Sequence, residues 1–126
     1  MLVGKDSASR RVLVVDDDPD VVHAVTLTLR LLGHQVASAH DGLEALDLFP
    51  RFQPDAAILD LCLPELDGFE LARRIRDLPG GTALLLVALS GLCDGEHRQR
   101  SAEAGFDHHL AKPANLRELA ELIATG

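Results

Sequence analysis

The chain has 126 residues, 47% of them apolar, with no Trp or Tyr and a formal net charge of −8. This is enough for one domain with an aliphatic core, and the acidic balance excludes the basic footprint of non-specific nucleic-acid binding. Cys62 and Cys93 are too few and too far apart for a disulfide framework, no apolar stretch reaches membrane-span length, and the first ten residues carry no signal-peptide core. We therefore expect a cytoplasmic protein with no membrane contact and no direct nucleic-acid contact.

Residues 1–10 read as a flexible leader rich in Ser, Gly and charge, and residues 11–126 as a single domain. The aliphatic run 12–15 predicts a strand. Asp18-Pro19 then supplies an N-cap and a proline at the first helical position. Val22, Val25, Leu29 and Leu32 recur at helical spacing, and Gly33 can end that helix in the left-handed conformation. A more polar strand follows over 35–39. Asp41-Gly42-Leu43-Glu44 has the form of a capping box, and Pro50 is expected just past the end of the helix it opens. A strand over 55–59 leads to a second box, Asp67-Gly68-Phe69-Glu70, whose helix should stop before Pro79.

The run 84–89 is a further strand. The helix expected over 94–104 has no large apolar side chain, only Ala102 and Ala104, so it buries little and should be among the least stable elements. It is either a solvated helix that packs through alanine or an element free to shift. A last strand over 107–111 precedes a helix opened by Asn115 and Glu118, with Leu119, Leu122 and Ile123 toward the core. Five strand–helix alternations predict an α/β fold, a five-stranded parallel sheet doubly wound as (βα)5. The first, third and fourth strands are nearly continuous aliphatic runs, as expected for strands buried on both faces. The other two should lie nearer an edge.

The chemistry gathers where those strands end. The first ends in Asp16-Asp17-Asp18, the third in Asp60, the fourth in Ser90-Gly91 and the fifth in Lys112-Pro113. In a parallel sheet these positions share one carboxyl edge, where open α/β folds place their sites. Adjacent carboxylates repel one another unless neutralised. A hard divalent cation does this with oxygen ligands, and Mg²⁺ typically takes a few carboxylates and keeps several waters. Lys112 is one of only two lysines against ten arginines, and a compact ammonium on a flexible stem suits a single phosphoryl oxygen. An exposed acidic turn and a lone surface lysine are the bland alternatives, and the matching strand ends weigh against them.

Val14-Val15-Asp16-Asp17-Asp18-Pro19, Asp60-Leu61-Cys62-Leu63-Pro64-Glu65-Leu66-Asp67-Gly68, Ala88-Leu89-Ser90-Gly91, Ala104-Gly105-Phe106 and Lys112-Pro113 together resemble the receiver domain of bacterial two-component response regulators. The resemblance spans about residues 11–125. It implies a flavodoxin-like topology, in a stand-alone protein or in the receiver of a hybrid sensor histidine kinase. It implies Asp60 as the residue that takes a phosphoryl group from the phosphohistidine of a sensor histidine kinase or histidine phosphotransfer protein. It further implies Mg²⁺ (or Mn²⁺) bound by Asp17, Asp60 and the main-chain carbonyl of Cys62, with Asp16 acting through water. Ser90 would bond a phosphoryl oxygen, Lys112 would pair with the phosphorylated carboxylate, and the Lys112-Pro113 bond would be cis. Output would be a reshaped surface of the fourth helix, fifth strand and fifth helix that binds a downstream protein, so the chain is expected to be a signalling module and not a turnover enzyme.

Some positions depart from the common pattern. His109 stands where the family usually places a Tyr or Phe switch; histidine could still pivot, and its protonation near neutral pH would couple output to pH. Ala114 follows Pro113 where a Phe is frequent. Cys62 lies two residues after Asp60, where side chains influence acyl-phosphate lifetime, and Cys93 could flank the same crevice. His23, His34, His40 and His97 lack metal-ligand spacing, and the adjacent His108 and His109 alternate faces on a strand. Three other classes are weighed. A haloacid-dehalogenase-like phosphatase would use Asp16-x-Asp18 and move the nucleophile to Asp16. A flavodoxin-like cofactor binder would need a Ser/Thr/Gly phosphate loop in place of the acidic turn. A pseudo-receiver would act only as a binding module.

Overall fold

The structure, a computed structural model, describes residues 9–63, 65–91 and 95–125, with the backbone alone at 95–98. Five strands and five helices alternate: β1 (Arg11–Val15), α1 (Pro19–Leu31), β2 (Gln35–Ala39), α2 (Gly42–Phe52), β3 (Ala56–Asp60), α3 (Gly68–Asp77), β4 (Leu85–Ser90), α4 (Gly95–Ala104), β5 (His108–Ala111) and α5 (Leu116–Thr125). All strand pairs are parallel, in the order β2-β1-β3-β4-β5. As their aliphatic sequences predict, β3 and β4 are buried at every position and β1 at all but Arg11, while β2 and β5 form the half-exposed edges.

Alternation along the central strands builds two cores. Leu13, Val15, Leu59 and Leu86 pack with Phe49 of α2, and with Phe69, Leu71 and Ile75 of α3. Val12, Val14, Ile58, Val87 and Leu89 face the other way, onto Val25 and Leu29 of α1 and Leu119 and Ile123 of α5. The sheet is thus covered on both faces. β1 runs between β2 and β3, so the chain reverses its winding direction there, which opens the crevice at the carboxyl ends.

The helix signals work largely as read. Asp18 Oδ1 accepts the Asp20 N–H at 2.9 Å, and Gly33 takes φ +96° just past the first helix. The carboxylates of Asp41 and Asp67 accept the N–H groups of Glu44 and Glu70. The return half of each box differs. Glu44 reaches the His40 N–H, and Glu70 pairs instead with Arg73 and Arg74. Asn115 Oδ1 accepts the Glu118 N–H and opens α5.

Three expectations need correction. Pro50 lies inside α2, which continues to Phe52 and ends at Gln53 in the left-handed region, φ +53°. A proline in the last turn forfeits one backbone bond without stopping the turn that follows. Asp55, Leu84 and Asp107 fall outside their strands. Asp55 and Asp107 instead direct carboxylates at strand-start amides, of Arg11 and Leu86 respectively. Among the described side chains of α4 the buried ones are Ser101 and Ala104, while Ala102 faces solvent.

Candidate functional site

The register brings the expected residues together. Val15 pairs with Leu59 and Asp60 with Leu89, so Asp16, Asp60 and Ser90 fall at neighbouring strand ends. The Asp16 N–H donates to the Ala39 carbonyl and the Lys112 N–H to that of Ser90, which extends the ladder one step at each side of the crevice. Asp16, Asp60 and Ser90 are buried, at 0%, 3% and 0% exposure, and Asp17 is exposed. The Lys112-Pro113 peptide is cis, as expected.

Lys112 Nζ lies 2.8 Å from Asp16 Oδ2 and 3.3 Å from Asp60 Oδ2. The other oxygens are held by backbone: Asp16 Oδ1 accepts from the Asp18 N–H at 2.9 Å, and Asp60 Oδ1 from the Cys62 N–H at 3.1 Å. Oxygens of Asp16, Asp17 and Asp60 lie within 4.8 Å of one another. Three carboxylates against one ammonium leave two negative charges, and an all-oxygen donor set with that surplus fits a hard divalent cation.

The electrostatics follow from burial. Loss of solvent, the largest effect, raises the Asp60 pKa above the ordinary carboxylate value. The Cys62 N–H opposes it, the Asp16 charge adds to it, and Lys112 opposes it again. For Lys112 burial acts to lower the pKa. The hydrogen bond to Asp16 and the charges of Asp60 and Asp16 outweigh it, so the lysine ends above its ordinary value and stays charged.

His109 is half-buried on β5 opposite Ala88. Cys62 is a free, exposed thiol, whereas Cys93 lies outside the described residues. The acidic turn uses Asp18 as a helix cap, as expected. His34 lies apart from the acidic cluster: it is buried at 5% exposure, and its Nδ1 accepts the Arg10 N–H at 3.0 Å.

One supporting residue escaped the sequence reading. Gly68, read from the sequence as part of a capping box and of the Asp60–Gly68 motif but given no role at the site, packs against the loop after Asp60, and its N–H donates to the Leu61 carbonyl. A Cβ there would lie 2.4 Å from the Asp60 carbonyl oxygen. The available signal was a glycine at a first helical turn, where it is otherwise a poor helix former.

A family model described as the response regulator receiver domain matches residues 12–124. The chain is 40% identical over 116 residues to an uncharacterised 14.6 kDa protein of Leptolyngbya boryana, covering 92% of this chain and 88% of that one. It is also 40% identical over 111 residues to the response regulator MprA of Mycobacterium bovis, covering 88% of this chain but only 47% of that protein. The chain thus spans about half the length of that relative. The chemotaxis protein CheY4 of Vibrio cholerae superposes with a TM-score of 0.86 at 30% identity, covering 90% of this chain and 95% of that one. Among the described residues no helix is long and apolar enough to cross a membrane. With the family model matched over nearly its whole length and the fold shared, this chain belongs to the response regulator receiver domain family of two-component signalling.

Proposed function

We propose that the chain is a phosphoacceptor switch in which Asp60 takes a phosphoryl group from the phosphohistidine of a sensor histidine kinase or histidine phosphotransfer protein. The observation that carries this reading is Lys112, whose ammonium sits 3.3 Å from the buried Asp60 carboxylate while held at 2.8 Å by Asp16. An Asp60 oxygen forms the new bond to phosphorus, the phosphorus–nitrogen bond breaks, and the donor imidazole keeps the bonding pair and takes up a proton. A carboxylate is a weak nucleophile toward a phosphoryl dianion, so fixed positive charge beside it lowers the barrier. Lys112 supplies such a charge without a proton to lose, since its pKa is raised. The Cys62 N–H fixes one carboxylate oxygen and leaves the other directed at the crevice.

Asp17, Asp60 and the Cys62 carbonyl, with Asp16 through water, would hold Mg²⁺ or Mn²⁺. When bound, such an ion supplies the charge that offsets repulsion between the carboxylate and the incoming dianion. Ser90, at the next strand end, takes a phosphoryl oxygen, and His109 on the adjacent edge strand is the side chain placed to follow it. The output is contact with a downstream protein, and the reaction belongs to the cytoplasm. The chain assists its own phosphorylation and dephosphorylation without turning over a separate substrate.

Intact mass after incubation with acetyl phosphate tests the reading, with Mg²⁺ or with chelator, for wild type and Asp60→Asn. We expect one added phosphoryl group that requires both the metal and Asp60. An adduct that persists in Asp60→Asn would move the nucleophile elsewhere. Failure of the wild type to bind beryllofluoride with Mg²⁺ would leave only a pseudo-receiver.

A further inference from the structure

The end of the sheet opposite the acidic cluster carries a cavity that phosphoryl transfer does not use. Its volume is about 510 Å³, and it lies where α2 and α3 both end. Phe49, Pro50, Pro54, Leu78 and Pro79 give it apolar walls, and Gln53 and Asp55 supply its polar side chains. The walls are fixed by backbone chemistry. Each of the three prolines has a locked φ, and Gln53 and Gly80 turn the chain at φ +53° and +86°. A pocket held in shape this way loses little freedom when it is filled, and its size falls within the range of roughly 300–1,000 Å³ of small-molecule sites.

We propose that this cavity binds a small organic cation, an apolar ring or chain carrying a protonated amine, with the ammonium against Asp55. The sign of the charge follows from the lining. Asp55 Oδ2 accepts the Arg11 N–H at 2.9 Å, and its other oxygen accepts no hydrogen bond among the described residues. Asp55 forms no ion pair among them either, and no basic side chain lines the cavity. The guanidinium of Arg11 is engaged by the Phe52 carbonyl and the Phe52 ring. The carbonyl ends of α2 and α3 flank the cavity, and each is the negative end of a helix dipole. An anion would meet one carboxylate and two negative helix ends, with no base to receive it. A neutral apolar ligand would strip water from the Asp55 carboxylate and give nothing back. A protonated amine on an apolar body suits both parts of the lining. None of these residues belongs to the acidic cluster, so the proposal stands or falls separately from phosphoryl transfer.

Amide chemical shifts of the whole chain in NMR, titrated with phenethylamine at neutral pH, test it. We expect saturable shifts centred on residues 49–55 and 78–80. Phenethyl alcohol has the same ring without the charge and should bind about threefold more weakly or worse. Phenylacetate should not bind. Asp55→Asn keeps an acceptor for the Arg11 N–H and loses the charge. It should bring the amine down to the affinity of the alcohol and leave the alcohol unchanged. Pro50→Trp, at an exposed position in the last turn of α2, should fill the cavity and abolish the shifts from both. Circular dichroism checks that each variant is folded. Equal affinity for amine and alcohol in the wild type would overturn the proposal, as would shifts that do not saturate or that centre on the acidic cluster. Amine binding that keeps full strength in Asp55→Asn, or that survives Pro50→Trp, would overturn it as well.

Discussion

At the residue scale, the same physical effect, burial of an ionisable group, does opposite things at two places. At Asp60 it raises the pKa of a carboxyl that has Lys112 and a backbone N–H as partners, so the group is desolvated, hydrogen-bonded and aimed at the crevice. At His34 burial, aided by the nearby Arg10 charge, lowers the pKa and favours the neutral ring. The geometry agrees, because His34 Nδ1 accepts the Arg10 N–H and a proton on that nitrogen would meet another donor. The unfolded chain thus binds a proton at His34 more readily than the native one. The stability that His34 contributes is full above the ordinary histidine value, near pH 6.5, and is lost as pH falls from there through the lowered native value. Urea midpoints measured from pH 7.5 to pH 5 (a window set by histidine titration) should fall for the wild type. They should fall less for His34→Asn, which keeps an acceptor but cannot titrate. Equal slopes in the two proteins would remove His34 from the account.

At the element scale, what matters is how tightly each helix is tied to the strand end it follows. The start of α3 is pressed against the loop after Asp60, where Gly68 leaves room for the Asp60 carbonyl and the Leu61 backbone. Gly68→Ala would place a methyl carbon 2.4 Å from that carbonyl and 2.7 Å from Leu61 Cα, both backbone atoms that cannot rotate aside. We expect a loss of about 1–3 kcal/mol in chemical denaturation, together with slower phosphorylation by acetyl phosphate, because the atoms displaced belong to Asp60 itself. A loss of stability with an unchanged rate would show that the loop relaxes without moving the carboxylate. By contrast the composition of α4 predicts an element held lightly. Among its described side chains Ser101 and Ala104 are buried, and Arg100 stacks 4.0 Å over the Phe69 ring of α3. Small side chains and a cation–π stack are contacts that let an element shift at low cost.

At the scale of the whole molecule, one side chain ties three segments together at the end of the sheet opposite the site. Arg76, near the end of α3, donates to the carbonyls of Gly105, Gly81, Thr82 and Leu84, and its guanidinium pairs with Asp107 at 3.1 Å. Asp107 in turn accepts the Leu86 N–H. One planar group thus joins α3, the turn before β4 and the turn before β5. Arg76→Ala should cost roughly 3 kcal/mol, since partly buried carbonyls lose their donor. Arg76→Lys should recover only part of that, because one ammonium cannot span the fork. A thermal melt of the three proteins checks this, and full recovery by lysine would mean that charge alone is what counts.

The sequence by itself determined the alternation of strands and helices, the helix caps and the convergence of Asp16, Asp17, Asp60, Ser90 and Lys112, because each depends on local pattern and on where a parallel strand must end. Burial on two faces also showed in composition, which is why β2 and β5 could be placed at the edges. Only the tertiary structure decided the rest. The bond from Arg10 to His34, the carboxylate of Asp107 at the Leu86 amide and the reach of Arg76 span 24, 21 and up to 31 residues, and no local spacing encodes them. Pro50 looked like a helix stop because a local rule ignores what the following turn gains. In the structure α2 has buried Phe49 beside it, and the helix runs on to Phe52. The exposed leucines at the end of α1, Leu27, Leu31 and Leu32, were indistinguishable from core residues in the sequence, since periodicity marks an apolar face but not whether the same molecule covers it.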